Sequence, residues 1–340
     1  MTNLRKICNF NLKETVNNTM DFDISLYRGY ANEKQIILFG HVFKSVAPDY
    51  LFTDKKALKH ARGVYEMFTI KTLANARVKV KFQGEEITTR TVSDGYFRVC
   101  IPVENIEPGW HSYTVEASYN SFVRTEQSEF LKPYPGKIGV ISDIDDTFLI
   151  SHTNNLLLKL YVLLTKNVNK RKIYADVAHH YSLLSKAGRE DKMEANTFFY
   201  VSSSEWNLYS FILNFTELHK LPKAVFKLKK IKQGLTDFLF SGRGNHNHKF
   251  NKIKDILEFY PQMQFVLMGD DSQKDPFLYA KIVKYFPKSV VAVYIRQTKS
   301  KKNSKTLANL QEIEAFAIPT CYFEHSSKAI EHSKKIGLLT

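Results

Sequence analysis

The chain has 340 residues, of which 44% are hydrophobic and 24% charged, with 25 Phe and 18 Tyr. That balance excludes a largely disordered chain and leaves room for about two domains. Lys and Arg outnumber Asp and Glu to give a net charge of +15, which favours a polyanionic partner such as an anionic membrane, a nucleic acid or a phosphorylated substrate. Cys8, Cys100 and Cys321 are too far apart and too few for a disulfide framework or a cysteine-ligated metal, and suit a reducing, cytoplasmic setting.

In chain order, residues 1–30 show no period and read as an N-terminal arm without the apolar core of a signal peptide. Residues 31–132 read as strands. QIILFGHVF is a buried run from Gln35, and Arg77 to Phe82 alternates polar with apolar. ITTRTV and YFRVCI are expected to pair as a hairpin across Asp94-Gly95, where positive φ is tolerated. HSYTVEASY and FVRTEQSEF continue the alternation, and Thr53 is expected to cap a helix through KKALKHARGVYEMF. The whole predicts an antiparallel β-sandwich-like domain.

Lys132-Pro133-Tyr134-Pro135-Gly136 punctuates the chain. Over 133–340 apolar strands alternate with amphipathic helices: KIGVIS, TFFYVS, KAVFKL, QFVLMG and SVVAVYI, with helices near 173–187, 205–219, 248–260 and 276–286. This predicts an α/β domain with a doubly wound parallel sheet, whose ligands bind at the carboxyl ends of the strands. The longest apolar stretch, Leu156 to Leu164, is interrupted by Lys159 and is too short to span a bilayer.

Chemistry-bearing residues gather at those strand ends. Asp143-Ile144-Asp145-Asp146-Thr147 crowds three carboxylates into four positions. Like charges raise each other's pKa, and a hard divalent cation such as Mg²⁺ relieves the repulsion. An acidic turn with a helix-capping Asp is the other reading. Ser202-Ser203-Ser204 follows TFFYVS, where hydroxyls and unpaired amides at a helix start can bind phosphate or simply cap the helix. Lys249 opens a helix, a position mildly unfavourable for a cation unless it neutralises something. QFVLMG delivers Gly269-Asp270-Asp271-Ser272-Gln273-Lys274-Asp275-Pro276, a second acidic cluster or a capped loop.

In combination, D-x-D-x-T, Ser, Lys and G-D-x-x-x-x-D in that order resemble the haloacid dehalogenase phosphatases. YPGKIGVISDIDDT, FFYVSSSEWNLYSFI, HKFNKI and FVLMGDDSQKDP are similar to the catalytic domain of the actin-patch-protein family of phosphatidate phosphatases, with lipins more distant. The resemblance covers about residues 132 to 338. It implies a haloacid dehalogenase-like domain with a small cap insertion. Asp143 would be the nucleophile, and Asp145 the acid/base. It further implies Mg²⁺ held by Asp143, Asp145 (through its carbonyl) and Asp270, with phosphate held by Thr147, Ser202, Ser203 and Lys249. Asp271 and Ser272 stand where the family often has Ser-Gly, so Asp271 could join or miss the metal shell. Asp275 would orient Lys249 or a metal-bound water.

Basic clusters at Lys166–Lys172, Lys223–Lys232 and Lys299–Lys305 read either as solvated faces or as contacts with an anionic membrane. The leading expectation is a Mg²⁺-dependent phosphatase for phosphatidate or a related lipid phosphate, peripheral to a membrane. The alternatives are a phosphatase for soluble or nucleic-acid phosphates and a non-catalytic polyanion-binding scaffold.

Overall fold

The computed structural model describes residues 22–44, 70–144, 176–191, 193–231 and 247–339. The helix expected after Thr53, the Leu156 to Leu164 segment with any cap, the Lys166–Lys172 cluster, and both Asp145 and Thr147 lie outside the described residues.

The first seven strands are β1 (Asp23–Ala31), β2 (Gln35–Phe43), β3 (Arg77–Phe82), β4 (Glu85–Arg90), β5 (Tyr96–Pro102), β6 (Gly109–Tyr119) and β7 (Phe122–Lys132). They form one sheet in the order β4-β3-β6-β7-β1-β2-β5. Every pairing is antiparallel except β1 with β7, where Gly29 lies opposite Phe130. The sheet curls until its edge strands β4 and β5 touch. Ile36, Leu38, Val42, Val78, Val80, Phe97 and Phe130 fill the hollow.

The expected hairpin across Asp94-Gly95 does not form. β5 pairs with β2, and β4 pairs with β3 through Gln83 and Gly84, both at positive φ. Gly95 answers a different need: a Cβ there would lie 2.6 Å from the Val42 carbonyl oxygen. The turn signal was local and carried no information on which strand would be the partner.

The remaining strands are β8 (Ile138–Ser142), β9 (Thr197–Glu205), β10 (Val225–Lys229), β11 (Gln264–Asp270), β12 (Val290–Arg296) and β13 (Thr320–Phe323). All pair in parallel, in the order β10-β9-β8-β11-β12-β13. Their helices are α1 (Val177–Lys186), α2 (Tyr209–Leu218), α3 (Asn247–Phe259), α4 (Asp275–Tyr285), α5 (Ser304–Glu314) and α6 (Ser326–Lys335). Pro276 starts α4, where its missing N–H costs nothing. The Asn303 side chain caps α5 by accepting from the Lys305 amide. No helix among the described residues is long and apolar enough to cross a membrane.

The architecture corrects the expected fold class. A doubly wound, haloacid dehalogenase-like sheet preceded by an antiparallel sandwich is not what is found. Strands dominate, as a mixed near-barrel of seven joined to a separate all-parallel sheet of six. The physical reason lies in what covers the parallel sheet. β2 is buried on both faces, so Ile37, Phe39 and Phe43 turn away from the near-barrel's hollow into a core shared with the parallel sheet. Tyr27 stacks on Trp206 at 3.9 Å, and Tyr30 meets Phe199 edge-on at 5.9 Å. An apolar run shows that both faces of a strand are buried, but not by which layers.

Charge also works at this junction. Arg28 pairs with Glu129 at 2.8 Å and Glu217 at 3.1 Å. Two lysines of the Lys223–Lys232 cluster are spent here: Lys223 pairs with Glu129 and lies 4.3 Å from the Trp110 ring centre, while Lys227 donates to the Tyr30 hydroxyl at 3.0 Å. For these two, the solvated-face reading is replaced by an inter-sheet contact.

Candidate active site

The parallel register sets the site. Ser142 lies opposite Tyr200 of β9 and Met268 of β11, so Asp143, Ser202 and Asp270 emerge one or two residues later at the same sheet edge. The Asp143 amide donates to the Met268 carbonyl at 2.8 Å, extending the ladder to the residue that carries the carboxylate. Two tyrosines brace these ends: Tyr279 donates to the Met268 carbonyl at 2.8 Å, and the Tyr181 and Ser142 hydroxyls are 2.6 Å apart.

Asp143, Asp270 and Asp275 are buried, and each offers a carboxylate oxygen within 4.8 Å of the other two. Lys249, on the first turn of α3, lies 3.0 Å from Asp143 Oδ1 and forms a close ion pair with Asp275 Oδ1. Burial would lower the Lys249 pKa, but Asp143 and Asp275 more than reverse this and hold it raised. Burial, followed by the charge of Asp275, pushes Asp270 up to about 7.

The group can hold a divalent cation by its chemistry. Three carboxylates against one ammonium leave a formal excess of two negative charges in a buried space. The buried Asp275 Oδ2 has no hydrogen-bond partner among the described residues. An all-oxygen donor set suits a hard cation. Gly269 lets the Asp275 side chain pack into the group: a Cβ there would lie 2.5 Å from Asp275 Oδ2 and 2.9 Å from the Tyr279 ring.

The other expected site residues divide. Asp271 is buried but turned away: its Oδ1 accepts from the Thr298 amide at 2.8 Å, and its Oδ2 from the Tyr322 hydroxyl at 2.5 Å. Ser202 is buried and its hydroxyl accepts from the Ser204 amide at 2.9 Å, whereas Ser203 is exposed. Asp275 stands among the carboxylates that could hold a cation as well as on Lys249.

The comparisons with known proteins bear on this same stretch. Residues 138–297 match the family described as phosphatidate phosphatase APP1, catalytic domain. This stretch is phosphatidate phosphatase-like. The match includes Asp143, Ser202, Lys249, Asp270 and Asp275. The chain is 26% identical over 236 residues to phosphatidate phosphatase APP1 of Saccharomyces cerevisiae, covering 64% of this chain and 36% of that protein. It therefore spans about a third of that relative's length.

Solved structures give weaker likenesses. A carbohydrate acetylesterase from Xanthomonas citri aligns at TM-score 0.32 and 10% identity, over 89% of this chain and 68% of that one. A β-glucuronidase from Parabacteroides merdae aligns at 0.27 and 7%, over 88% and 47%. Neither score supports an argument about this chain.

Within the phosphatidate phosphatase-like stretch, sequence reasoning passed over Lys252. It lies one turn beyond Lys249, is buried, and donates to the carbonyls of Lys227 at 3.0 Å and Ser202 at 3.4 Å, tying the ends of β9 and β10 together. Burial, then Lys227, drives its pKa well down. The i, i+3 spacing in Lys249-Phe250-Asn251-Lys252, read as one helix face, is the signal that could have found it.

Proposed function

We propose that the chain is a Mg²⁺-dependent phosphomonoester hydrolase that acts on phosphatidate or a related lipid phosphate at a membrane surface. One observation carries the reading: Asp143, Asp270, Asp275 and Lys249 converge, buried, at the strand ends of the phosphatidate phosphatase-like stretch.

In this mechanism the Asp143 carboxylate attacks phosphorus, a phosphorus–oxygen bond to the lipid breaks, and an aspartyl-phosphate forms. Asp145 gives its proton to the departing alkoxide. As a carboxylate it then takes one from the water that cleaves the acyl phosphate, releasing inorganic phosphate and restoring both side chains. Lys249, 3.0 Å from Asp143 Oδ1, holds that carboxylate aimed, and its ammonium faces the charge that builds on the phosphoryl oxygens. The Ser202–Ser204 segment at the carboxyl-terminal part of β9, together with Thr147, supplies further donors. Mg²⁺, held by Asp143, Asp270, Asp275 and the Asp145 carbonyl, would screen nucleophile from phosphate and stabilise the transferring group. Asp271, satisfied by Thr298 and Tyr322, holds the loop between β11 and α4 in place.

Phosphate release is measured from phosphatidate in mixed micelles and from an aryl phosphate, with Mg²⁺ or EDTA, for wild type and Asp143→Asn. The expected result is metal-dependent release from phosphatidate that drops at least about 10³-fold in the variant. Release from the aryl phosphate alone would move the substrate to soluble phosphates, and no release from either would end the hydrolase reading.

A further inference from the structure

We propose that the groove between the first turns of α4 and α5 docks the protein on an anionic lipid bilayer, on the side of the molecule that holds the carboxylate site. The proposal rests on the lipid-phosphate reading above and names the surface that reading needs.

The groove measures about 390 Å³ and is lined by Lys274, Pro276 and Phe277 from the start of α4 and by Asn303, Lys305 and Thr306 from the start of α5. No carboxylate lines it. Phe277 is 59% exposed, an unusual state for a large aromatic. Leu307, on the first turn of α5, is also exposed. Lys299, Lys301 and Lys302 are exposed in the loop that leads into α5, ahead of Lys305. Two helix starts add their positive dipole ends.

An exposed aromatic ringed by lysines matches an anionic interface. The ring enters the boundary between headgroups and acyl chains, the ammonium groups meet lipid phosphates, and the lysine stems cover apolar surface. A small soluble anion would engage the lysines but gives no reason for Phe277 to stand in water. Position supports the assignment as well. Lys274 immediately precedes Asp275, and Phe277 follows it by two residues. Phe277 and the carboxylate paired with Lys249 are thus separated by about 3 Å of helical rise on opposite sides of α4, so a bilayer against Phe277 meets the same end of the helix that carries Asp275 inward. The basic loop is tied to the same edge, since Lys302 lies 5.8 Å from the Tyr322 ring centre and Tyr322 binds Asp271.

The test is co-sedimentation of the full chain with vesicles of phosphatidylcholine alone or mixed with phosphatidylserine, without substrate. Wild type is expected to sediment with the mixed vesicles and to be released by salt. Lys274→Glu/Lys305→Glu should weaken that binding about tenfold or more, and Phe277→Ser several-fold. The charge-matched control Lys34→Glu/Lys71→Glu, at exposed positions of the near-barrel, should change it little. Thermal melting checks that each variant is folded. Equal loss in the control, no preference for phosphatidylserine, or wild-type binding by the Phe277 variant would overturn the proposal. So would displacement of the Phe277 variant and wild type alike by single-stranded DNA, which would point to a nucleic-acid surface. Because no turnover is involved, failed docking and failed hydrolysis are separate results.

Discussion

The near-barrel and the parallel sheet bury charge in different ways. Among the described residues, the near-barrel's buried ions are single cations with carboxylate partners: Arg28 on Glu129 and Glu217, and Lys132 on Glu33. The parallel sheet buries like charges together, with Asp143, Asp270 and Asp275 sharing one lysine. The first arrangement can be explained by packing. The second costs folding free energy and has no packing justification, since apolar residues of similar size would serve better. A buried excess of one sign at the carboxyl ends of parallel strands is therefore where chemistry is sought.

That contrast is broken most severely by Lys249→Met. It leaves the carboxylates without their ammonium, so activity should fall about 10²- to 10³-fold. The EDTA-treated protein should lose roughly 3 kcal/mol in urea unfolding. If Arg28→Met, in the near-barrel, lowered activity as much, the division of labour between the regions would be wrong.

Cation binding sharpens it next. Mg²⁺ should raise the melting temperature of wild type in a concentration-dependent way, and Asp270→Asn should abolish the rise. Asp271→Asn should keep it, because that carboxylate faces Thr298 and Tyr322. Scanning calorimetry over a Mg²⁺ series gives the answer, and a rise retained by Asp270→Asn would remove that residue from the binding group.

Gly269→Ala tests crowding beneath the carboxylates. Its Cβ would meet Asp275 Oδ2 at 2.5 Å, so stability should fall about 1–3 kcal/mol and Mg²⁺ affinity should fall with it. Unchanged urea midpoints would show that the loop can yield there.

The last effect concerns pH and should be shared by both regions. Burial lowers His41 in the near-barrel and His180 on α1 from 6.5 to about 3. The unfolded chain then takes up protons that the folded chain refuses as pH falls below 6.5. Each histidine therefore supports the fold above that pH, and its contribution is lost progressively as pH drops towards 3, at up to about 1.4 kcal/mol per pH unit. Urea midpoints measured from pH 7.5 to 4.5 should fall, and His180→Phe should flatten part of the slope. Unaltered slopes in that variant would mean the ring is protonated in the fold.

Several members of the candidate site were legible as local signals before the fold was known. Asp143, Lys249 and Asp270 each lie at a strand end or helix start, where an apolar run followed by a polar cluster is a local signal. Ser202, by contrast, lies inside β9, which continues to Glu205 instead of giving way to a helix at the serines. The roles of neighbours were not legible. Asp271 adjoins Asp270 yet points to β13, while Asp275, five residues on, returns to the site because α4 begins there. Alternation in β3 and the continuous apolar run of β2 likewise reported how many faces each strand buries.

Period, composition and adjacency along the chain were enough to read the apolar strands of the second half, the polar residues that follow them and the excess of positive charge. Long-range packing set the rest: the first half closes as a mixed near-barrel, Lys223 and Lys227 serve the junction between sheets, and Asp275, not Asp271, joins Asp143 and Asp270. Those outcomes depend on which surfaces meet across long stretches of chain, and burial of a shared core selects them, not any local preference.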